Sequence, residues 1–141
     1  MTSGEVFVCD THPLVWFLTE NPKLSASARS HLRRAEAGEA TVYVPTIVLS
    51  EFLWLAKRDR VSWERFFEFL FRLEGYSGFR VADLNLETLS RMTYVIMVSP
   101  QPRPELELHD LSILATALLL GAKLITKDRQ LRRQTLVEAV W

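Results

Sequence analysis

The sequence predicts an α/β fold: a three-layer α/β/α sandwich around a mostly parallel sheet of about five strands. Two observations carry this. Short apolar runs of β-type residues recur at 6–9, 41–44, 79–81, 124–126 and 137–140, and most lack the alternation of a strand with one wet face. Longer stretches with helical spacing lie between them, so strand and helix alternate as βαβ units require.

Each element has a local cause. "VFVC" runs straight into Asp10; "THP" is expected to turn the chain, and "LVWFL" to begin a helix that packs back on the sheet. "SASARSHLRRAEAG" has Ser25 as its N-cap and Gly38 as its stop. "TIVLSEFLWLAKR" follows Pro45, with Thr46 as the expected cap. "SWERFFEFLFRLEG" begins at Ser62, carries Glu64 where the helix dipole favours an acid, and ends before Gly75. "LETLSRMTYVIMV" runs up to the break at Ser99–Pro100, and "DLSILATALLLG" is expected to start at Asp110 and stop at Gly121. The proline-rich "SPQPRPEL" reads as a connection, so residues 1–141 are expected to form a single domain.

Composition narrows the class. At 48% hydrophobic and 24% charged, the chain is globular in type. Its 17 basic and 17 acidic residues cancel, so any nucleic-acid surface must be local. One cysteine, Cys9, excludes an internal disulfide and a multi-cysteine zinc site. "MTSGEV" has neither the basic nor the apolar region of a signal peptide, and no run approaches the roughly 20 residues of a membrane helix. A cytoplasmic protein without a membrane partner is expected.

Four acids stand out. Asp10 and Asp128 each follow an apolar strand, at the carboxyl edge where doubly wound sheets bind ligands. Asp110 opens a helix, and Glu51 falls among Ile47, Val48, Trp54 and Leu55, on what reads as the buried stripe of its helix. Each also has an ordinary structural role open to it: turn acid, helix cap, or margin of a stripe. Together they can converge on one crevice, and such a cluster repels itself unless a cation neutralises it. Oxygen donors without clustered His or Cys favour Mg²⁺ or Mn²⁺, ions suited to phosphodiester hydrolysis. Thr126 adds a hydroxyl two residues before Asp128.

These segments resemble the PIN-domain family, in particular the VapC-type toxins of toxin–antitoxin pairs. "VCDTHPLVWFL", "VPTIVLSEFLWL" and "HDLSILATALLLGAKLITKD" carry the likeness, which extends from Val6 to about Trp141. Each piece is short, and their order and spacing give the match its strength. The resemblance implies a PIN-like fold and a Mg²⁺- or Mn²⁺-dependent endoribonuclease. It implies catalytic roles for Asp10, Glu51, Asp110, Asp128 and Thr126. Asp10 and Asp110 would hold the metal directly, and Glu51 and Asp128 directly or through water. It also implies an RNA substrate, a small cognate antitoxin and a homodimer. "HDLSI" departs from the Asp-Pro- or Asp-Arg-containing segment more usual around the third acid.

Other residues bear on the same reading. His12, Lys127 and Arg129 flank the acids and are candidate contacts to an RNA backbone. His109 reads first as a helix-end residue. "WERFFEFLFRL" has more large apolar side chains than one core-facing stripe needs, as an interface for a partner helix would. There is no G-x-S-x-G, P-loop or G-x-G-x-x-G, and His12 stands where a haloacid-dehalogenase-type phosphatase has its second Asp. Two alternatives remain open: a receiver-type module phosphorylated on Asp83 and read by Thr126–Lys127, and a catalytically silent PIN fold that only binds a partner.

Overall fold

A computed structural model describes residues 4–73, 75, 77–99 and 106–141. The chain forms β1 (Val6–Cys9), α1 (Thr11–Leu18), α2 (Ala26–Glu36), β2 (Thr41–Pro45), α3 (Thr46–Lys57) and α4 (Trp63–Leu73). It continues with β3 (Phe79–Ala82), α5 (Leu86–Val98), α6 (Leu108–Leu120), β4 (Lys123–Ile125), α7 (Arg129–Arg133) and β5 (Ala139–Val140). The sheet order is β3-β2-β1-β4-β5 with every pairing parallel. Helices flank it, α1 packing on α2 and α3, α3 on α4, and α5 on α6. The three-layer α/β/α expectation holds.

Burial follows position in the sheet. In central β1, Phe7, Val8 and Cys9 are fully enclosed, which is why its sequence does not alternate. Edge strand β3 leaves Arg80 and Val81 exposed, so the expectation that strands are covered on both faces fails there. Among the described residues, no helix is long and apolar enough to cross a membrane.

Most punctuation acts as expected. Ser25 Oγ accepts from Ala28 N–H, Gly38 adopts a positive φ just past α2, and left-handed Gly121 closes α6. Some boundaries differ. "THP" is not a turn: Asp10 caps α1 directly, and Pro13 fits because the first turn of a helix has no N–H to lose. Thr46 is the first residue of α3 rather than its cap, and its hydroxyl accepts from Leu84 N–H. α6 begins at Leu108, which places Asp110 within its first turn. The "SPQPRPEL" connection lies largely outside the described residues.

The two faces of α4 differ sharply. Phe66 and Phe69 are buried and stack edge-on with Phe52 of α3, while Trp63, Phe67 and Phe71 are exposed. The surplus of aromatics read from the sequence is therefore real, and it faces outward.

Candidate active site

β1 and β4 are adjacent in the sheet, yet chain order departs from β1 in opposite directions, towards β2 and towards β4. Such a switch point leaves a crevice beyond the strand ends. β1 delivers Asp10 to it, and Asp10 N–H donates to Ile125 O at 3.0 Å, which locks the two strand ends together.

Asp10 is buried and well supplied with donors. Its Oδ1 accepts from Thr11 N–H at 2.7 Å and its Oδ2 from the fully buried Thr126 hydroxyl at 2.8 Å. Burial pushes this carboxyl up, but the donors His109, Thr126 and Thr11 N–H outweigh it and hold the group below its ordinary value. The Thr126 oxygen in turn accepts from Asp128 N–H at 3.0 Å. Thr126 thus ties the end of β4 to both acids. Asp128 caps α7, its Oδ1 accepting from Gln130 and Leu131 N–H.

Asp110 comes from the first turn of α6. Its pKa is raised to about 6 by burial and by the charges of Asp128 and Asp10, partly offset by His109. Asp110, on α6, therefore feels the charges of the acids that follow β1 and β4.

Glu51 departs from expectation. The buried stripe of α3 is Val48, Phe52 and Ala56; Glu51 lies one position off it, with its side chain 42% exposed. A residue next to Phe52 is turned about 100° from it on the helix, which places Glu51 at the margin. The cost of burying a charge therefore does not single it out. It reaches the crevice all the same, because Asp10, Glu51, Asp110 and Asp128 line one cleft.

His12, Lys127 and Arg129 line the same cleft, and the Lys127 ammonium sits 4.7 Å from the Trp16 ring centroid. Thr126 stands behind the cleft, engaged with Asp10. Cys9 is fully buried and its thiol is pushed well up by burial, which makes it an inert core residue.

Three residues of the cleft were not assigned to the site from the sequence: Glu107, a fifth acid on its wall whose charge also presses on Asp110, and the neighbours His109 and Thr11. His109 inserts between two acids: Nε2 lies 3.5 Å from Asp10 Oδ1, and Nδ1 lies 2.7 Å from Glu51 Oε1, off the line of a hydrogen bond. Contact with Asp10 raises its pKa against the lowering effect of burial. Thr11 Oγ1 is buried on the cleft wall with no hydrogen-bond partner among the described residues. The only sequence signal for His109 or Thr11 was adjacency to an acid.

A hard cation fits this chemistry. The donors are oxygens, like charges press on Asp110, and the Thr11 hydroxyl lacks a partner. Among the described residues, however, no group of three or more His, Cys, Asp or Glu side chains is arranged to hold one ion as it stands.

The receiver-type alternative does not survive. Asp83 follows edge strand β3, with β2 and β1 between it and β4, and Thr126 is already bound to Asp10.

The sequence profile of the PIN domain matches residues 7–135. No curated protein matches the sequence. Among solved structures, a chain of VapBC2 from Rickettsia felis, bound to a DNA fragment from their promoter, superposes with a TM-score of 0.73 at 16% identity, over 96% of this chain and 97% of that one. A chain of VapBC-1 from nontypeable Haemophilus influenzae gives 0.68 at 19% identity, over 96% of each chain. A toxin–antitoxin complex from Klebsiella pneumoniae gives 0.63 at 21% identity, over 96% of this chain and 99% of that one. At these identities the likeness is one of fold.

Proposed function

The chain belongs to the PIN-domain family, and on that premise we propose that it is a VapC-type endoribonuclease toxin dependent on Mg²⁺ or Mn²⁺. The observation that carries the reading is the convergence of Asp10, Glu51, Asp110 and Asp128, from different elements, on one cleft at the carboxyl edge of the sheet. Asp10 and Asp110 hold the ion, with Glu51 and Asp128 contributing directly or through water. When bound, the ion lowers the pKa of a coordinated water and neutralises charge developing on the phosphate. Thr126 orients Asp10 for this role, while Lys127, Arg129 and His12 on the rim receive the RNA backbone.

The partners follow from surface chemistry. A groove with Trp16 and Phe17 in its wall also carries Arg29, Arg33 and Arg65, unpaired among the described residues, together with Glu20, Glu68 and the Arg72–Glu36 ion pair. It suits an antitoxin segment that brings apolar side chains and charges of both signs together. One of the solved structures named above, from Klebsiella pneumoniae, is a toxin–antitoxin complex, in keeping with such a partner. Exposed Leu86, Leu89, Tyr94 and Met97 on α5 offer a face for a second copy. We place the protein in the cytoplasm, as one domain. Sedimentation of the chain alone and with the co-encoded antitoxin tests both associations.

The decisive experiment is RNA cleavage by purified protein. Activity should require Mg²⁺ or Mn²⁺, stop on chelation, and fall at least ~100-fold in Asp10→Ala and Asp110→Ala, as loss of a metal ligand dictates. Undiminished cleavage in those variants would sink the assignment.

A further inference from the structure

We infer that His109 is a placeholder: its imidazole fills the gap between Asp10 and Glu51, and a divalent ion enters the cleft by displacing it. The inference rests on the reading of the cleft as a cation site. Two carboxylates sharing one Mg²⁺ at about 2.0–2.1 Å must bring their oxygens within roughly 4.2 Å of each other. Here a ring stands between them, one nitrogen facing each acid. That keeps Asp10 and Glu51 from sharing an ion as the side chains stand, in keeping with the absence of a ready-made three-ligand set among the described residues.

The ring is held by its charge contacts with two acids, neither of which is a short, straight hydrogen bond. Its contact with Asp10 is 3.5 Å long, and its contact with Glu51 is misaligned. Directed hydrogen bonds prefer shorter, straighter geometry, so the hold is one of charge, which an arriving divalent cation takes over. The side chain is 21% exposed, which leaves it a way out to solvent. The backbone need not follow, because α6 is anchored just beyond by buried Leu111, Ile113 and Leu114. Asp10 meanwhile keeps its bonds to Thr126 and Thr11 N–H and stays in place as a ligand. Thr11, on the same wall, keeps its hydroxyl enclosed and without a hydrogen-bond partner among the described residues.

Mn²⁺ binding, with free ion counted by electron paramagnetic resonance, tests this without recourse to activity. His109→Ala should bind Mn²⁺ about tenfold more tightly than wild type, a gain typical of removing a competing occupant. His109→Lys, which keeps a cation at the same position in the chain, should bind no more tightly than wild type. In wild-type protein, added Mg²⁺ should shift the NMR ring signals of His109 and leave those of His31, packed on Phe7, in place. Equal or weaker Mn²⁺ binding by His109→Ala, or unmoved His109 signals at saturating Mg²⁺, overturns the inference. The underlying reading has its own control. If Asp110→Asn binds Mn²⁺ as wild type does, or wild type binds none, the cation site itself falls and this inference with it.

Discussion

At the scale of single residues, Thr126 is the pivot. Its hydroxyl donates to Asp10 and accepts from Asp128 N–H, and no water can replace it in a fully enclosed position. Thr126→Val keeps the shape and leaves both partners unsatisfied, so urea unfolding should show a loss of about 1–3 kcal/mol. RNA cleavage should fall with it. Asp110 gives a prediction in pH. Its folded pKa of about 6 lies above the ordinary 3.8, so the fold binds this proton more tightly than the unfolded chain does. The stability this confers is present below pH 3.8 and is lost as pH rises through 6. Asp110→Asn, a mimic of the protonated form, should therefore be more stable than metal-free wild type at pH 7.5 and no more stable at pH 3.5. Because the side chain is only half-buried, the gain should be under ~1 kcal/mol, read as a shift in urea midpoint.

At the scale of elements, the same residue often serves shape and chemistry together. Asp10 caps α1 through Thr11 N–H and is also the central acid; Asp128 caps α7 in the same way. Their structural roles, read in the sequence as alternatives to catalysis, coexist with it, because a carboxylate has two oxygens with several lone-pair sites. The turn into β3 depends on a close approach. Gly78 N–H donates to Ala35 O at 2.6 Å, and an added Cβ would strike the carbonyl oxygens of Ala40 and Ala35. Those oxygens belong to backbone that cannot swing aside. Gly78→Ala should thus destabilise by more than ~2 kcal/mol in thermal or urea unfolding, as overpacking against backbone does. An unchanged midpoint would show that β3 can shift on the sheet edge.

At the scale of the whole molecule, the fold gathers acids that the chain keeps far apart. Central strands β1 and β4 present Asp10 and the Asp128 turn side by side, and α3 and α6 close the cleft with Glu51 and Asp110. Holding Asp110 among like charges trades stability for a site, and a bound cation should return it. Mn²⁺ at 100 times its Kd should add about 2.7 kcal/mol and raise the melting temperature by roughly 6–10 °C. EDTA should reverse the rise, and Asp10→Asn should not show it.

The order of strands and helices, most helix stops, and the acids themselves were legible in the sequence. These depend on local signals: hydrophobic period, cap residues, and where a charge interrupts an apolar run. "VFVC" ahead of Asp10 and "KLIT" ahead of Asp128 announce buried strands that end on carboxylates. What the linear pattern could not decide is which side chains meet. Glu51 reads as part of a buried stripe and lies at its margin, because the packing of Phe52 sets the rotation of α3. His109 reads as a helix-end residue and stands between Asp10 and Glu51. Contacts such as Asp10 with Thr126, 116 residues apart, arise only when parallel strands pair in register. Local sequence determines which elements form and where charges end them, whereas non-local packing alone decides which charges share a cleft.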